Sequence, residues 1–278
     1  MGNFELSEAE KERIFQSVIA VTLLTGVARG IDKPTLILLG GQPGSGKTRS
    51  LVSGAESDLA ASGRPMLIDA DQLRENHTGW KDAILADDVT AAEKTHPDVR
   101  KWVRKACALA IESRCNVILD GTMASQESIV QVVKQFVDAD YEIEARVLAI
   151  DGNTSWLGVL YRYEQKKSKR QDARMTPRAV HDHAVDGIPK TLAVIETDAR
   201  VGRIKIVARG GKVLFDSAGE SGEYESASKA LNAERTRLKP VHEDDQYDAD
   251  LKQLLIWAAG RGFEVGSLEE YERRILGH

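Results

Sequence analysis

Apolar residues along this chain form two kinds of pattern. Short unbroken runs, Thr35-Leu36-Ile37-Leu38-Leu39, Pro65-Met66-Leu67-Ile68, Asn116-Val117-Ile118-Leu119 and the stretch from Glu142 to Ile150, have the length of buried strands. Between them the apolar positions recur at helical spacing. Ser7-x-x-Glu10 is a capping box that opens a helix with Ile14, Val18, Val21 and Leu24 on one face. Residues 48–61 read as a helix, residues 79–95 as a poorly patterned one, and beyond Pro97 a clearer helix carries Val99, Val103, Ala106, Cys107, Ala110 and Ile111 on one side. Two more follow at 125–137 and 155–167. Thr176-Pro177 has the form of a cap and first helical residue, with a break expected at Gly187-Ile188-Pro189. Residues 203–208 and 212–215, joined by Arg209-Gly210-Gly211, close the series as one or two strands.

Strand and helix in alternation imply right-handed crossovers, hence an α/β fold with a mostly parallel, doubly wound sheet. From Glu220 the composition changes. Three helices are predicted near 224–238, 249–259 and 267–276, with an acidic linker at 243–248. The expected division is a catalytic domain over 1–219 and a helical C-terminal extension over 220–278.

The first strand run leads into Gly40-Gly41-Gln42-Pro43-Gly44-Ser45-Gly46-Lys47-Thr48, where Gly41, Gly46, Lys47 and Thr48 stand at the Gly-x-x-x-x-Gly-Lys-Ser/Thr spacing of a phosphate-binding loop. Glycines let backbone N–H groups wrap a polyphosphate without side-chain obstruction. Residues 41–48, that is Gly41, Gln42, Pro43, Gly44, Ser45, Gly46, Lys47 and Thr48, are thus expected to cradle the phosphates of a nucleotide. Lys47 supplies charge at the β/γ-phosphates, Thr48 a hydroxyl to Mg2+, and the following helix its positive end. This points to a P-loop kinase fold.

With 278 residues, 42% hydrophobic and 29% charged, the chain can bury one sizeable core. A net charge of -5 argues against a nucleic-acid partner. The longest apolar stretch, 18–28, runs for only about 11 residues, too short to span a bilayer. The acidic start and the Leu6 that follows Gly2 fit neither a secretory signal nor a myristoylation site, so a cytoplasmic protein without membrane attachment is expected. Cys107 and Cys115 are too few for a disulfide scaffold.

Phosphoryl transfer to an alcohol needs a group to orient the hydroxyl and positive charge around the phosphoryl. Asp71, just past the second strand, is the candidate base; its plainer role is a helix cap. Asp69 is placed to share substrate or metal contacts, and Asp120, ending the third strand, has the form of a Walker-B acid that holds Mg2+. Arg162, Arg170, Arg174 and Arg178 lie where a mobile lid would sit, and periodicity does not choose among them. Lys166, Lys167, Lys169 and Arg170 read as a solvated face. His181 and His183, two apart on a predicted helix, do not share a face, and a structural or surface role is expected for both.

In combination these motifs resemble the zeta toxin family, the kinase half of bacterial epsilon/zeta toxin–antitoxin pairs. The resemblance covers much of residues 4–216. It rests on Leu39 to Thr48, Ile68-Asp69-Ala70-Asp71 with His77, Asp120-Gly121-Thr122, Arg162-Tyr163-Glu164, and Ala173-Arg174-Met175-Thr176-Pro177 leading to His181-Asp182. Asp120 stands where that family usually has Glu, and Thr78 where it has Pro. The resemblance implies that Asp71 is the base, that Arg162 and Arg174 contact the transferring phosphate, and that Asp69, Asp120 and Thr122 join Asp71 around the substrate. It further implies UDP-N-acetylglucosamine as acceptor, ATP with Mg2+ as donor, and a small helical antitoxin as partner. The residues by themselves leave two rivals open: a kinase of another hydroxyl (NAD, a nucleoside, an antibiotic), and a nucleotide-binding regulatory module without transfer.

Overall fold

The apolar runs assemble into a six-stranded sheet in the order β2-β3-β1-β4-β5-β6, described here in a computed structural model covering residues 4–219 and 224–276. The strands are β1 Thr35–Gly40, β2 Met66–Asp69, β3 Val117–Asp120, β4 Glu142–Ala149, β5 Arg203–Ala208 and β6 Val213–Asp216. The first five run parallel, and β6 returns antiparallel to β5 through the Gly210-Gly211 turn, with φ of 97° and 93°. Alternate residues of the central strands feed two cores, as a sheet covered on both faces requires. Leu36, Leu38, Met66, Ile68 and Val117 pack with Trp102, Phe136, Ile188 and Leu192, while Ile37, Leu39, Ile118 and Leu148 pack with Leu51, Val52, Ala55 and Leu59.

Helices α1 Glu8–Ile14 and α2 Ala20–Leu24 are joined by wide, π-type turns over Phe15–Ile19. The Ser7–Glu10 capping box is formed. The wider turns correct the expected face: Ile14, Phe15, Ile19 and Ala20 are buried, whereas Val18 and Val21 are exposed, because an i→i+5 turn carries Ile19 to the side that a 3.6-residue period assigns to Val18. After the glycine loop, π-type turns over Thr48–Val52 run into α3 Ser53–Leu59. Short helices α4 Ala70–Arg74 and α5 Trp80–Ala86 lead to the long α6 Ala91–Ser113, which continues through Pro97 instead of starting after it. Cys107 on α6 and Cys115 are free and buried in the main core, where burial pushes their thiols up to about 12 and about 11.

Beyond β3, α7 Gln126–Val137, α8 Gly152–Ser168 and α9 Arg178–Glu196 complete the crossovers. The helix expected to break at Gly187-Ile188-Pro189 runs straight through. Gly187 lies so close to the chain at Ala124 that a Cβ there would come within 2.2 Å of the Ala124 carbonyl oxygen, and this packing, with Ile188 fully buried, outweighs the helix penalty of Gly and Pro. Its N-cap is Pro177, with no side-chain cap, in place of the expected Thr176, which is itself buried.

The residue at the proposed division, Glu220, and Gly2, on which the myristoylation argument turned, lie outside the described residues. The composition break at 220 is not a packing break. Helix α10 Ala227–Thr236 sets Ala227, Ala230 and Leu231 into the sheet's main core, and Glu196 of α9 accepts from the N–H groups at its start. Helices α11 Val241–Gly260 and α12 Leu268–Leu276 bury Leu254, Ala258 and Tyr271 against Trp156, Leu160 and Tyr163 of α8. The acidic stretch 243–248 is no linker but the opening of α11, where carboxylates suit the positive end of the helix.

Candidate active site

The order of strands places the switch in winding direction beside β1, and the glycine loop leaves its carboxyl end, where open α/β sheets hold ligands. The loop lies directly on α8. A Cβ on Gly44 (φ 77°) would sit 2.0 Å from the Ser155 carbonyl oxygen, and one on Gly158 would sit 2.3 Å from the Gly44 carbonyl oxygen. Gly41 donates to Thr122 O at 3.3 Å, fixing the loop to the segment after β3. Gln42, 1% exposed, points inward; its Nε2 donates to Ile150 O (2.9 Å) and Ser155 Oγ (3.2 Å). Pro43 and Lys47 are half-buried and Thr48 is exposed at the start of the helical segment.

Two features fit a polyphosphate. Ser45 Oγ is buried without a hydrogen-bond partner, and Gly46 (φ 85°) has open space where a side chain would stand. The Thr48 hydroxyl and the Asp120 carboxylate are hard oxygen donors of the kind Mg2+ takes.

Register brings the acids together: Asp69 pairs with Asp120 across β2 and β3, and Leu39 with Asp120 across β1 and β3. Lys47 Nζ bonds Asp120 Oδ1, so loop and third strand meet through charge. Asp69 caps α4, accepting from the Asp71 N–H at 2.8 Å. Burial, helped by the nearby Asp120 and Asp71 carboxylates, raises the Asp69 carboxyl above its usual range, against the pull of that hydrogen bond and of Lys47. Asp71 goes the other way. The loss of water on the side that faces the crevice would by itself raise it, but Arg174, Arg74 and Arg162 outweigh that and bring it down to about 2.

Arg174 Nη2 donates to Asp71 Oδ2 at 2.6 Å, and Arg74 Nη1 to Asp71 Oδ1. Arg162, on α8, is exposed to solvent in the crevice, attracted by Asp71 and Asp69 and repelled by Arg174. The structure thus brings together Lys47 with Asp120 and Asp71 with Arg174 and Arg162; Thr122 is held near the loop through its backbone. The segment expected to form a lid is anchored: Ala173, Met175 and Thr176 are buried, and Met175 N–H donates to Asp88 O at 3.0 Å. Lys167 does not belong to the expected solvated face, since it pairs with Asp88 at 2.5 Å; Lys166, Lys169 and Arg170 are exposed. Arg178 bonds Asp182 and lies over the Trp156 ring.

Three further side chains adjoin the site; sequence reasoning gave no role to Arg74 or Arg235, and read His181 as structural or surface. Arg74 stands three residues after Asp71 on one helix, a spacing that signals the pair. His181, 1% exposed, lies 2.9 Å from Ser155 Oγ and 2.9 Å from Asp182 Oδ1. Arg235, from α10, reaches Gln42 of the loop at 3.1 Å, and no local signal connects positions so far apart.

The zeta toxin family model matches residues 22–220. The chain belongs to the zeta toxin family. It is 27% identical over 198 residues to toxin zeta of Streptococcus agalactiae, covering 71% of this chain and 68% of the relative. Toxin zeta of Enterococcus hirae is 27% identical over 190 residues, but only 65% of its length is spanned. Toxin PezT of Streptococcus pneumoniae serotype 4 is 26% identical over 195 residues, 70% of this chain and 76% of that protein. Among solved structures, one from the PezAT chromosomal toxin–antitoxin system of Streptococcus pneumoniae superposes with a TM-score of 0.77 at 20% identity, covering 90% of this chain and 98% of the other. A complex of AvrRxo1-ORF1 and -ORF2 with ATP gives 0.61 at 16% identity, over 98% and 87%. These likenesses show the fold, and a share of 90% extends it past the zeta toxin match into the C-terminal helices.

Proposed function

We propose that this chain is a kinase of zeta toxin type, transferring the γ-phosphoryl group of ATP to a sugar hydroxyl of UDP-N-acetylglucosamine. The observation that carries the reading is Asp71. It is a carboxylate at the carboxyl end of a sheet strand, held ionised by Arg174 at 2.6 Å and by Arg74, with Arg162 close by and Asp120, its register neighbour's partner, bonded to the loop lysine. A regulatory module that only held nucleotide would have no use for such a base beside two cations.

Lys47, which bonds Asp120 in the free protein, meets the β/γ-phosphates. Thr48 and Asp120 would hold Mg2+, which when bound would supply positive charge against the phosphate oxygens. Asp71 orients the attacking hydroxyl. The bond from the γ-phosphorus to the bridging oxygen breaks, one to the sugar oxygen forms, and the hydroxyl proton passes to Asp71 as ADP leaves. A carboxylate with so low a pKa is a weak base, which suits a loose phosphoryl-transfer transition state in which proton transfer comes late and positioning matters most. Arg162 and Arg174 offer planar forks to the equatorial oxygens.

Loss of that precursor would starve cell-wall synthesis. The likeness to a protein of the PezAT toxin–antitoxin system supports an antitoxin as partner, and both nucleotide substrates belong to the cytoplasm. Among the described residues no helix is long and apolar enough to cross a membrane. The test is mass spectrometry of a UDP-sugar mixture incubated with ATP, Mg2+ and the full chain. One phosphate added to UDP-N-acetylglucosamine supports the reading; phosphate on another acceptor moves the substrate, and ATP binding without any transfer overturns the kinase.

A further inference from the structure

Outside the crevice, one polar chain, half-buried at its start and buried beyond, is left without a role by the chemistry above. It begins on α10, beyond the stretch that the zeta toxin model matches. Arg235, in the last turn of that helix, sends Nη2 to Gln42 Oε1 at 3.1 Å and Nη1 to the Val185 carbonyl oxygen at 2.9 Å, while its Nε is buried without a partner. Gln42 passes the connection on through its amide N–H groups to Ile150 O and Ser155 Oγ, and Ser155 Oγ meets the buried His181. The amide of Gln42 is therefore gripped from both ends.

A loop residue that points inward does not touch phosphate, yet it decides where the loop backbone stands. The Gln42 carbonyl oxygen accepts from the Ser45 N–H at 3.2 Å, so the place of Gln42 fixes the turn through which the rest of the loop runs. Enclosing one guanidinium donor without a partner is costly, and the loss of water around the half-buried Arg235 lowers its pKa to about 10 even with Asp186 and Asp151 nearby to support its charge. Such a group in a helix otherwise docked by Ala227, Ala230 and Leu231 adds little to packing that a methionine would not.

We infer that Arg235 is a positioning residue for the phosphate loop, acting through Gln42, so that the C-terminal helix α10 sets the loop's readiness to take a nucleotide. This rests on the reading of residues 41–48 as a phosphate-binding loop. The consequence is specific. Removing the guanidinium loosens the loop before any nucleotide arrives, and a lysine, which supplies one donor without the fork, restores part of the effect.

The test has two arms on the full chain. Hydrogen–deuterium exchange of the 41–48 peptide in nucleotide-free protein does not depend on what the loop binds; Arg235→Met is expected to raise its exchange about tenfold, with Arg235→Lys between. Fluorescent ATP binding is expected to weaken about tenfold in Arg235→Met. In Gln42→Ala the loss is the same size, and adding Arg235→Met to it changes nothing further. Circular dichroism and melting temperature of each variant separate misfolding from displacement, and Arg235→Lys keeps the charge if the methionine variant fails to fold. Unchanged exchange in a folded Arg235 variant, or losses that add in the double variant, would overturn the inference. If the unaltered chain binds no ATP, the phosphate-loop reading falls, and the exchange arm alone decides whether Arg235 holds the loop.

Discussion

The pair Asp71–Arg174 separates chemistry from stability. Arg174 Nη2 lies 2.6 Å from Asp71 Oδ2, but the Asp71 side chain is 53% exposed and shares its charge with Arg74. Solvent screening holds the contribution of such a pair to folding at or below about 1 kcal/mol. The same guanidinium facing a transferring phosphoryl is worth far more: loss of an arginine at that position costs about 10³ in turnover, or roughly 4 kcal/mol of barrier. Arg174→Ala is therefore expected to melt within a few degrees of the unaltered protein while losing at least about 10³ in single-turnover rate, with Arg174→Lys restoring part. Arg162→Ala is expected to act similarly. Asp71→Asn is expected to lose roughly 10² to 10⁴ with little change in ATP affinity, and the Asp71→Asn, Arg174→Ala double variant less than the two losses combined. The pH profile is a separate readout. With Asp71 at about 2, its carboxylate stays ionised across the neutral range and sets no acid limb there; Arg174→Ala raises its pKa, so the acid limb moves up. The ion pair's stabilisation, present above the ordinary carboxylate range, is lost as pH falls from about 4 towards 2. A variant lacking Arg174 that turns over normally but melts early would refute the assignment and leave a surface ion pair.

Lys47→Ala removes the fixed charge on the β/γ-phosphates and is expected to abolish transfer, and because it also leaves the buried Asp120 carboxylate without its partner a lower melting temperature is expected with it; near-normal activity would remove the phosphate-loop reading. Gly44→Ala forces a Cβ against the Ser155 carbonyl oxygen and is expected to abolish nucleotide binding, measured by titration with fluorescent ATP; retained affinity would mean that loop and α8 do not touch. Leu231→Ala empties a fully buried site under the sheet and is expected to cost about 2–5 kcal/mol in urea unfolding, and a chain ending before residue 224 is expected to be insoluble. Arg261→Met leaves the fully buried Glu164 with Tyr271 alone and is expected to cost about 3–5 kcal/mol; a loss under 1 kcal/mol would show that water reaches that carboxylate.

What could be read from the chain alone follows the range of the interactions. The glycine loop, the strand runs and Asp71 are local patterns, and each stands where its neighbours put it. Face assignment failed at Val18 and Val21 because one wide turn shifts every later position, and nothing in the residues 15–19 announces it. The break expected at Pro189 did not occur because the close approach of Gly187 to Ala124 is a tertiary fact. Arg174 could be chosen over Arg170 only by resemblance; the structure distinguishes them by burying Ala173 and Met175 on either side, which turns Arg174 towards Asp71. The C-terminal helices were misjudged for the opposite reason. Their surface composition differs, but small residues such as Ala227 and Ala230 dock a helix as firmly as large ones and leave little trace in a hydropathy pattern.

The two thiols give the folded chain an unplanned advantage at the bench. Cys107 and Cys115 sit inside the main core with their thiols pushed to about 12 and about 11, so neither offers an appreciable thiolate at neutral pH. Maleimide labelling of the intact protein is therefore expected to be silent, and a single cysteine introduced on the surface can carry a dye with no need to remove the natural pair. Any labelling of the unaltered chain then counts molecules whose core has opened, which makes alkylation rate a gauge of breathing across the sheet.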